Sequence, residues 1–135
     1  MVDLADIRAA AARIESIAVK TPLISSPALD EAVGGRILLK AENLQRTGSF
    51  KIRGAYNMLS QLSPQQARHG AVAFSSGNHA QAVAAAGAML GIDTTIVMPE
   101  DTPPVKIENT RKLGGETVLY DRYSENREEI AQQIA

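Results

Sequence analysis

The sequence predicts an α/β protein, a three-layer parallel sheet with flanking helices, and three observations carry that prediction. Short apolar runs at Ala71-Val72-Ala73-Phe74, Thr94–Met98 and Thr117–Tyr120 alternate with helix patterns. The connections between them are short, which suits right-handed βαβ crossovers and parallel strands. Alanine is abundant and glycine reaches ten among 135 residues, which suits helices lying close on a sheet.

Each element follows from local chemistry. Asp3 can cap an amphipathic helix on which Leu4, Ile7, Ala11, Ile14 and Ala18 recur at helical spacing. Thr21-Pro22 stops it, because the residue before a proline is pushed out of the α region. Ser26 then caps a short helix with Pro27 at its first position and Gly34-Gly35 at its end. Arg36–Lys40 is a candidate strand. A polar loop, Glu42 to Gly48, leads to Ser49 as the cap of a helix bearing Phe50, Ala55, Met58, Leu59 and Leu62. Ser63-Pro64 restarts a brief helix that Gly70 closes.

After the first apolar run comes an alanine-rich helix from Asn78 to Leu90, ended by Gly91. Pro103-Pro104 opens a helix to Leu113, and Gly114-Gly115 ends it. Ser124 caps a last helix that continues to Ala135 with no C-cap glycine, so the pattern expects a chain cut within a longer fold.

Composition narrows the function. There is no cysteine, which excludes a disulfide framework, a thiolate nucleophile and thiolate metal sites. A net charge of −1 argues against nucleic acid or an anionic membrane as the main partner. Five aromatic residues (three Tyr, two Phe) are too few for base-stacking platforms. His69 and His79 lack a neighbouring carboxylate at ligand spacing, so no metal is expected. The start has no secretory pattern and no run is long enough to span a bilayer, so a cytoplasmic protein is expected.

Two segments carry chemical signals. In Thr47-Gly48-Ser49-Phe50-Lys51-Ile52-Arg53-Gly54 a lysine falls in the first turn of a helix, where the dipole disfavours cations. A bound anion relieves that, and so does a lysine held uncharged in a Schiff base. Taken alone, such a lysine is most often solvated. The Walker phosphate loop fails here, because Ile52 and not Ser or Thr follows Lys51. No G-x-G-x-x-G occurs either, which speaks against a dinucleotide fold.

The second segment, Ser75-Ser76-Gly77-Asn78-His79, joins a strand to a helix at the carboxyl edge of the sheet, where open α/β sheets bind ligands. Its glycine, hydroxyls and helix-opening N–H groups suit a carboxylate or phosphate. Ser, Gly and Asn are also what ordinary turns use, and alone the segment supports both readings.

Together, Lys40-Ala41-Glu42-Asn43-Leu44-Gln45-Arg46-Thr47-Gly48-Ser49-Phe50-Lys51-Ile52-Arg53-Gly54-Ala55 and Ser75-Ser76-Gly77-Asn78-His79-Ala80-Gln81 resemble the threonine dehydratase and serine racemase group. These are fold-type II pyridoxal-phosphate enzymes with a tryptophan synthase β-like fold, and the resemblance runs from about Ile7 to the C-terminus. It implies that Lys51 bonds the cofactor aldehyde, Phe50 packs beside its ring and Asn78 hydrogen-bonds its phenolic oxygen. It implies that Ser75, Ser76, Gly77, Asn78 and His79 bind the substrate carboxylate. Ser76 would add a second acid/base on the face opposite Lys51, or serve only as a carboxylate donor; a serine without an activating partner is a poor base.

The implied reaction is β-elimination of threonine or serine to a 2-oxo acid and ammonia, with Lys51 as catalytic base. The alternatives are serine racemisation, 3-hydroxyaspartate dehydration, or a non-catalytic fragment that keeps an anion-binding loop. The resemblance also divides the chain: residues 1–70 would be the N-terminal part of a large cofactor domain. Residues 71–135 would be a small α/β domain lacking its last strand. Family members are longer, so the fold is expected to be incomplete, with the cofactor-phosphate loop in later sequence and a homo-oligomer in the full-length form.

Overall fold

A computed structural model describes residues 1–135. Strands β3 (Ala71–Phe74), β4 (Thr94–Pro99) and β5 (Gly115–Tyr120) form a parallel sheet in the order β3-β4-β5. Ala71 aligns with Thr94, and Thr94 with Gly115. Central β4 buries Ile96, Val97 and Met98 completely, as a strand covered on both faces must. Ile96 and Met98 join the main core with helix α5 (Asn78–Leu90) and Ile107 of α6 (Pro104–Lys112). Alternation sends Val97 to the other face, where α7 (Arg127–Ile134) packs on β3 and β4. Helices, sheet and helix make the three expected layers.

Small residues set how closely α5 approaches the sheet. It buries Ala80, Ala82, Val83, Ala84, Ala85, Ala86 and Gly87. A Cβ on Gly87 would lie 2.7 Å from the Ile92 carbonyl oxygen, and one on Gly115 would lie 2.8 Å from the Ala84 Cβ. Gly115 therefore begins β5 and packs against α5, where the sequence pattern makes it only a helix stop; the third strand starts two residues before Thr117.

Helix α3 (Lys51–Leu59) brings the earlier chain into the same core through Ile52, Ala55 and Leu59, spaced along one face. Of the first fifty residues, only Ile17 packs against that core. Helix α1 (Leu4–Ile14) has the expected Asp3 cap, completed by Asp6 into a capping box, but buries no residue. It stops four residues before Ala18 because side chains from elsewhere capture the carbonyls beyond it. Arg46 Nε donates to the Ile17 oxygen at 2.6 Å, and Gln45 Nε2 to the Val19 oxygen at 2.9 Å.

A strand the local pattern did not reveal, β1 (Leu23–Ser25), pairs antiparallel with β2 (Leu38–Lys40), so the candidate strand from Arg36 shrinks to three residues. Between them α2 (Pro27–Val33) has Pro27 at N1 and a left-handed Gly34 at its end, although the Ser26 side chain makes no capping bond. Helix α4 (Pro64–His69) has the Ser63 cap and the Gly70 stop. The α7 cap is Asn126, whose Oδ1 accepts the Glu128 N–H at 2.9 Å. Ser124, expected there, instead donates to Asp121 Oδ2 at 2.6 Å. No helix is long and apolar enough to cross a membrane.

Candidate active site

Lys51 is the first residue of α3, and the turn before it is unusual. Thr47 has φ +62°, a left-handed conformation that a β-branched residue rarely adopts, and Gly48 follows at φ +71°. The two reverse the chain so that Ser49 is extended and Phe50 already helical. Phe50, not Ser49, therefore occupies the N-cap; the Ser49 hydroxyl accepts the Lys51 N–H at a long 3.4 Å.

The first turn of α3 is anchored by a carboxylate. Glu42 lies in the first of two 3₁₀ turns, Glu42–Leu44 and Arg46–Gly48. It accepts from Arg53 Nε at 2.9 Å and from Arg53 Nη2 at 2.8 Å, a bidentate pair, and from the Thr21 hydroxyl at 2.5 Å. Arg53 also donates to the Val19 oxygen at 3.1 Å. The Arg53 hydrogen bond, reinforced by Thr21 and the Arg53 and Lys40 charges, holds the Glu42 carboxyl down at about 2 against the opposing effect of burial. None of the motifs legible in the sequence contains this clamp, because Glu42 and Arg53 fall in separate local patterns. The available signal was an acidic residue set among Lys40, Arg46 and Arg53.

With the turn fixed, the Lys51 ammonium sits 4.8 Å from the centroid of the exposed Phe50 ring. No carboxylate lies within ion-pair distance of it. Phe50, Lys51, Arg53, Gly54, Ala55 and His79 line a cavity of about 310 Å³. Lys51 and His79, far apart in sequence, thus share one wall. Partial desolvation against the cavity wall, and secondarily the Lys51 charge, push the His79 pKa below its ordinary 6.5 although the residue keeps an exposed face, and this favours the neutral imidazole.

The second loop projects from the carboxyl end of β3. Ser75 Oγ accepts the Gly77 N–H at 3.3 Å, and Gly77 is the N-cap of α5 with no side-chain capping bond. The N–H groups opening α5 therefore keep their capacity for an anion. Ser76, Asn78 and His79 are exposed there. Ser76 lines a different, polar cavity of about 440 Å³ with Pro99, Tyr120, Arg122, Glu125, Asn126 and Arg127. The structure thus gathers Phe50, Lys51 and His79 around one cavity and leaves Ser76 in another. Ser75, Gly77 and Asn78 line neither.

A primary amine without a carboxylate partner and an aromatic face suit a flat aromatic aldehyde. The open α5 terminus suits a carboxylate or phosphate. These donors fit pyridoxal phosphate.

A protein-family model described as pyridoxal-phosphate dependent enzyme matches residues 14–135. The chain is 49% identical over 130 residues to an L-threo-3-hydroxyaspartate ammonia-lyase of Pseudomonas sp, covering 96% of this chain and 41% of that protein. It is 46% identical over 134 residues to an L-threonine ammonia-lyase of Thermotoga maritima, covering 99% of this chain and 33% of the relative. Among solved structures, maize serine racemase superposes with a TM-score of 0.93 at 41% identity, over 98% of this chain and 40% of that one. The chain spans between about a third and two fifths of the length of the curated relatives it matches.

Proposed function

The chain belongs to the pyridoxal-phosphate dependent enzymes, and from that premise we propose that it forms the lysine-bearing part of an ammonia-lyase for a hydroxy amino acid, threonine or serine. The observation that carries this is the single cavity in which clamped α3 presents Lys51 beside Phe50 and His79. Residues 1–70 supply the amine and residues 71–135 the carboxylate loop, and we assign them to the two domains of such an enzyme, joined here where α3 packs on α5.

Pyridoxal phosphate supplies an aldehyde for the substrate amine and a ring that accepts the electron pair left at Cα. The chain's own residues do the rest. The N–H groups opening α5, with the Ser75 and Ser76 hydroxyls and the Asn78 amide, bind and orient the substrate carboxylate. Lys51 Nζ accepts the α-proton as general base. A neutral His79 adds no positive charge beside that amine, and the Arg53 charge in the same cavity wall is paired with Glu42. Loss of the α-proton and the β-hydroxyl yields an enamine, and its hydrolysis gives the 2-oxo acid and ammonia. Phe50 offers an aromatic face beside that amine.

A second substrate reading has its own observation. In the polar cavity beside Ser76, Arg122 is paired with Asp101 at 2.7 Å, whereas Arg127 lies over the Phe74 ring with no carboxylate partner. An unpaired guanidinium there favours a substrate with a second carboxylate, such as 3-hydroxyaspartate. Release of 2-oxo acid from L-threonine, L-serine and L-threo-3-hydroxyaspartate tests both readings. Lys51→Ala is expected to lower turnover by roughly 10²–10⁴-fold and to abolish the visible band formed with pyridoxal phosphate. A borohydride-reducible band retained in Lys51→Ala refutes the assignment, and a preference for L-threonine over the dicarboxylate refutes the second reading.

A further inference from the structure

The net charge of −1 conceals a segregation of charge along the chain. From Ala32 to Ile92 stand six Lys or Arg residues, Arg36, Lys40, Arg46, Lys51, Arg53 and Arg68, and a single carboxylate, Glu42. The two flanking stretches hold fourteen Asp or Glu against eight Lys or Arg. The acid-poor stretch is the one that supplies both the Lys51 turn and the loop after β3.

The fold decides how far these cations are neutralised. Glu42 is taken by Arg53, which is the only one of the six in an ion pair. Arg46 Nε donates to the Ile17 carbonyl, Lys40 Nζ to the Thr21 carbonyl and Arg68 Nε to the Pro64 carbonyl. A carbonyl satisfies a donor and fixes its direction but carries no net charge, so these cations stay uncompensated. Arg46 opens the 3₁₀ turn that leads into α3, and the Lys40 charge acts on Glu42, which ties that turn to Arg53. The N-terminal ends of α3 and α5 add the positive ends of two helix dipoles. Acids return on the side of the Ser76 cavity, where Glu100, Asp101, Asp121 and Glu125 outnumber Arg122 and Arg127. The two approaches to the Ser75–His79 loop therefore differ in sign.

Resting on the assignment of Lys51 as the cofactor-bonding lysine, we infer that the acid-poor stretch steers the cofactor's phosphate toward the Lys51 amine. Uncompensated charges of one sign draw an anion during its approach and act before contact. Arg46 contributes through this field rather than by handling a reacting atom, so it is a positioning residue.

The test mixes the purified protein rapidly with pyridoxal 5′-phosphate, or with pyridoxal, which lacks the phosphate, and follows growth of the visible band. Raising ionic strength from about 20 mM to about 500 mM should slow the phosphate compound about fivefold or more and change pyridoxal by less than about twofold. Arg46→Gln should slow pyridoxal phosphate about two- to threefold at low salt and match the wild type at high salt. Arg46→Lys, which keeps the charge but not the planar donor, should keep the wild-type rate. Asn43→Asp, which returns a carboxylate to the stretch at an exposed position, should slow it at low salt, and Arg68→Gln on α4 should not. A rate indifferent to salt, or an equal salt response from pyridoxal, overturns the inference. So does a deficit of Arg46→Gln that persists at high salt, a wild-type rate in Asn43→Asp, or an effect of Arg68→Gln equal to that of Arg46→Gln. Lys51→Ala separates the two levels. If it retains the wild-type band, the Lys51 assignment fails. If it loses the band while the wild-type rate ignores salt, only the steering inference fails.

Discussion

Before Lys51 the chain buries four residues, Thr21, Ala41, Gln45 and Ser49, and three of them are polar; the other 21 of its 25 buried residues lie from Ile52 onward. The later region is held by apolar contact: α5 on the sheet, α3 on α5, β4 between its neighbours. The earlier one is held by directed bonds. Gln45 brackets Val19 through both its N–H and its carbonyl, and Glu42 ties Thr21 to Arg53. The difference matters because Lys51 stands at the seam. Its helix is rooted in the apolar core, but the turn that aims it is set by charge and hydrogen bonds, which respond to pH and salt in ways an apolar core does not.

Substitutions in either region test how differently the two are held. The largest effect is expected in the core: Ile96→Ala, at a fully buried position in β4, should cost about 3 kcal/mol. The matched truncation Leu39→Ala in half-exposed β2 should cost less than about 1 kcal/mol. Denaturant unfolding of the two variants measures both, and equal costs would erase the distinction between the regions.

Glu42→Gln comes next, at about 2 kcal/mol for a lost charge-assisted pair. Hydrogen exchange should localise the loss of protection to residues 15–50 and leave β3–β5 unchanged. Acid should reproduce it. The Glu42 carboxyl drops from its ordinary 4.5 to about 2 on folding, so its contribution is present above about pH 4.5 and disappears as pH falls toward 2. Glu42→Gln should lack that step.

The smallest effect belongs to Asp3→Ala, about 1 kcal/mol or less, because the capping box it removes serves a helix with no buried residue. Far-ultraviolet circular dichroism would register the frayed α1.

Legibility in the sequence followed the same divide. Helix α5 runs from Asn78 to Leu90 as its pattern predicts, because an apolar, alanine-rich run is bounded by a ligand-type turn and a left-handed Gly91. The parallel strands were legible for the same reason: each is a short apolar run between turn residues. Failures concentrate where the structure depends on distant polar partners. The end of α1 is decided by Arg46, Gln45 and Arg53, and the β1–β2 pairing by two three-residue segments with too little periodicity to read. Ser124 and Asn126 are both good caps locally, and the Asp121 carboxylate decides between them by taking the Ser124 hydroxyl. The site divided likewise. Lys51 and the Ser75–His79 loop stood out as motifs, whereas the Glu42–Arg53 clamp did not, since nothing in a string of residues says which of three nearby cations an acid will meet.

By itself the sequence determined the α/β class, the limits of its best helix, the lysine at a helix start and the anion-suited loop after β3. These depend on capping, turn chemistry and apolar periodicity, whose range is a few residues. Tertiary structure alone decided that Lys51 and His79 share a cavity while Ser76 opens on another, and that Gly115 packs against α5. Those are distances between segments remote in the chain, set when α3 closes on α5 and bury their small residues against each other.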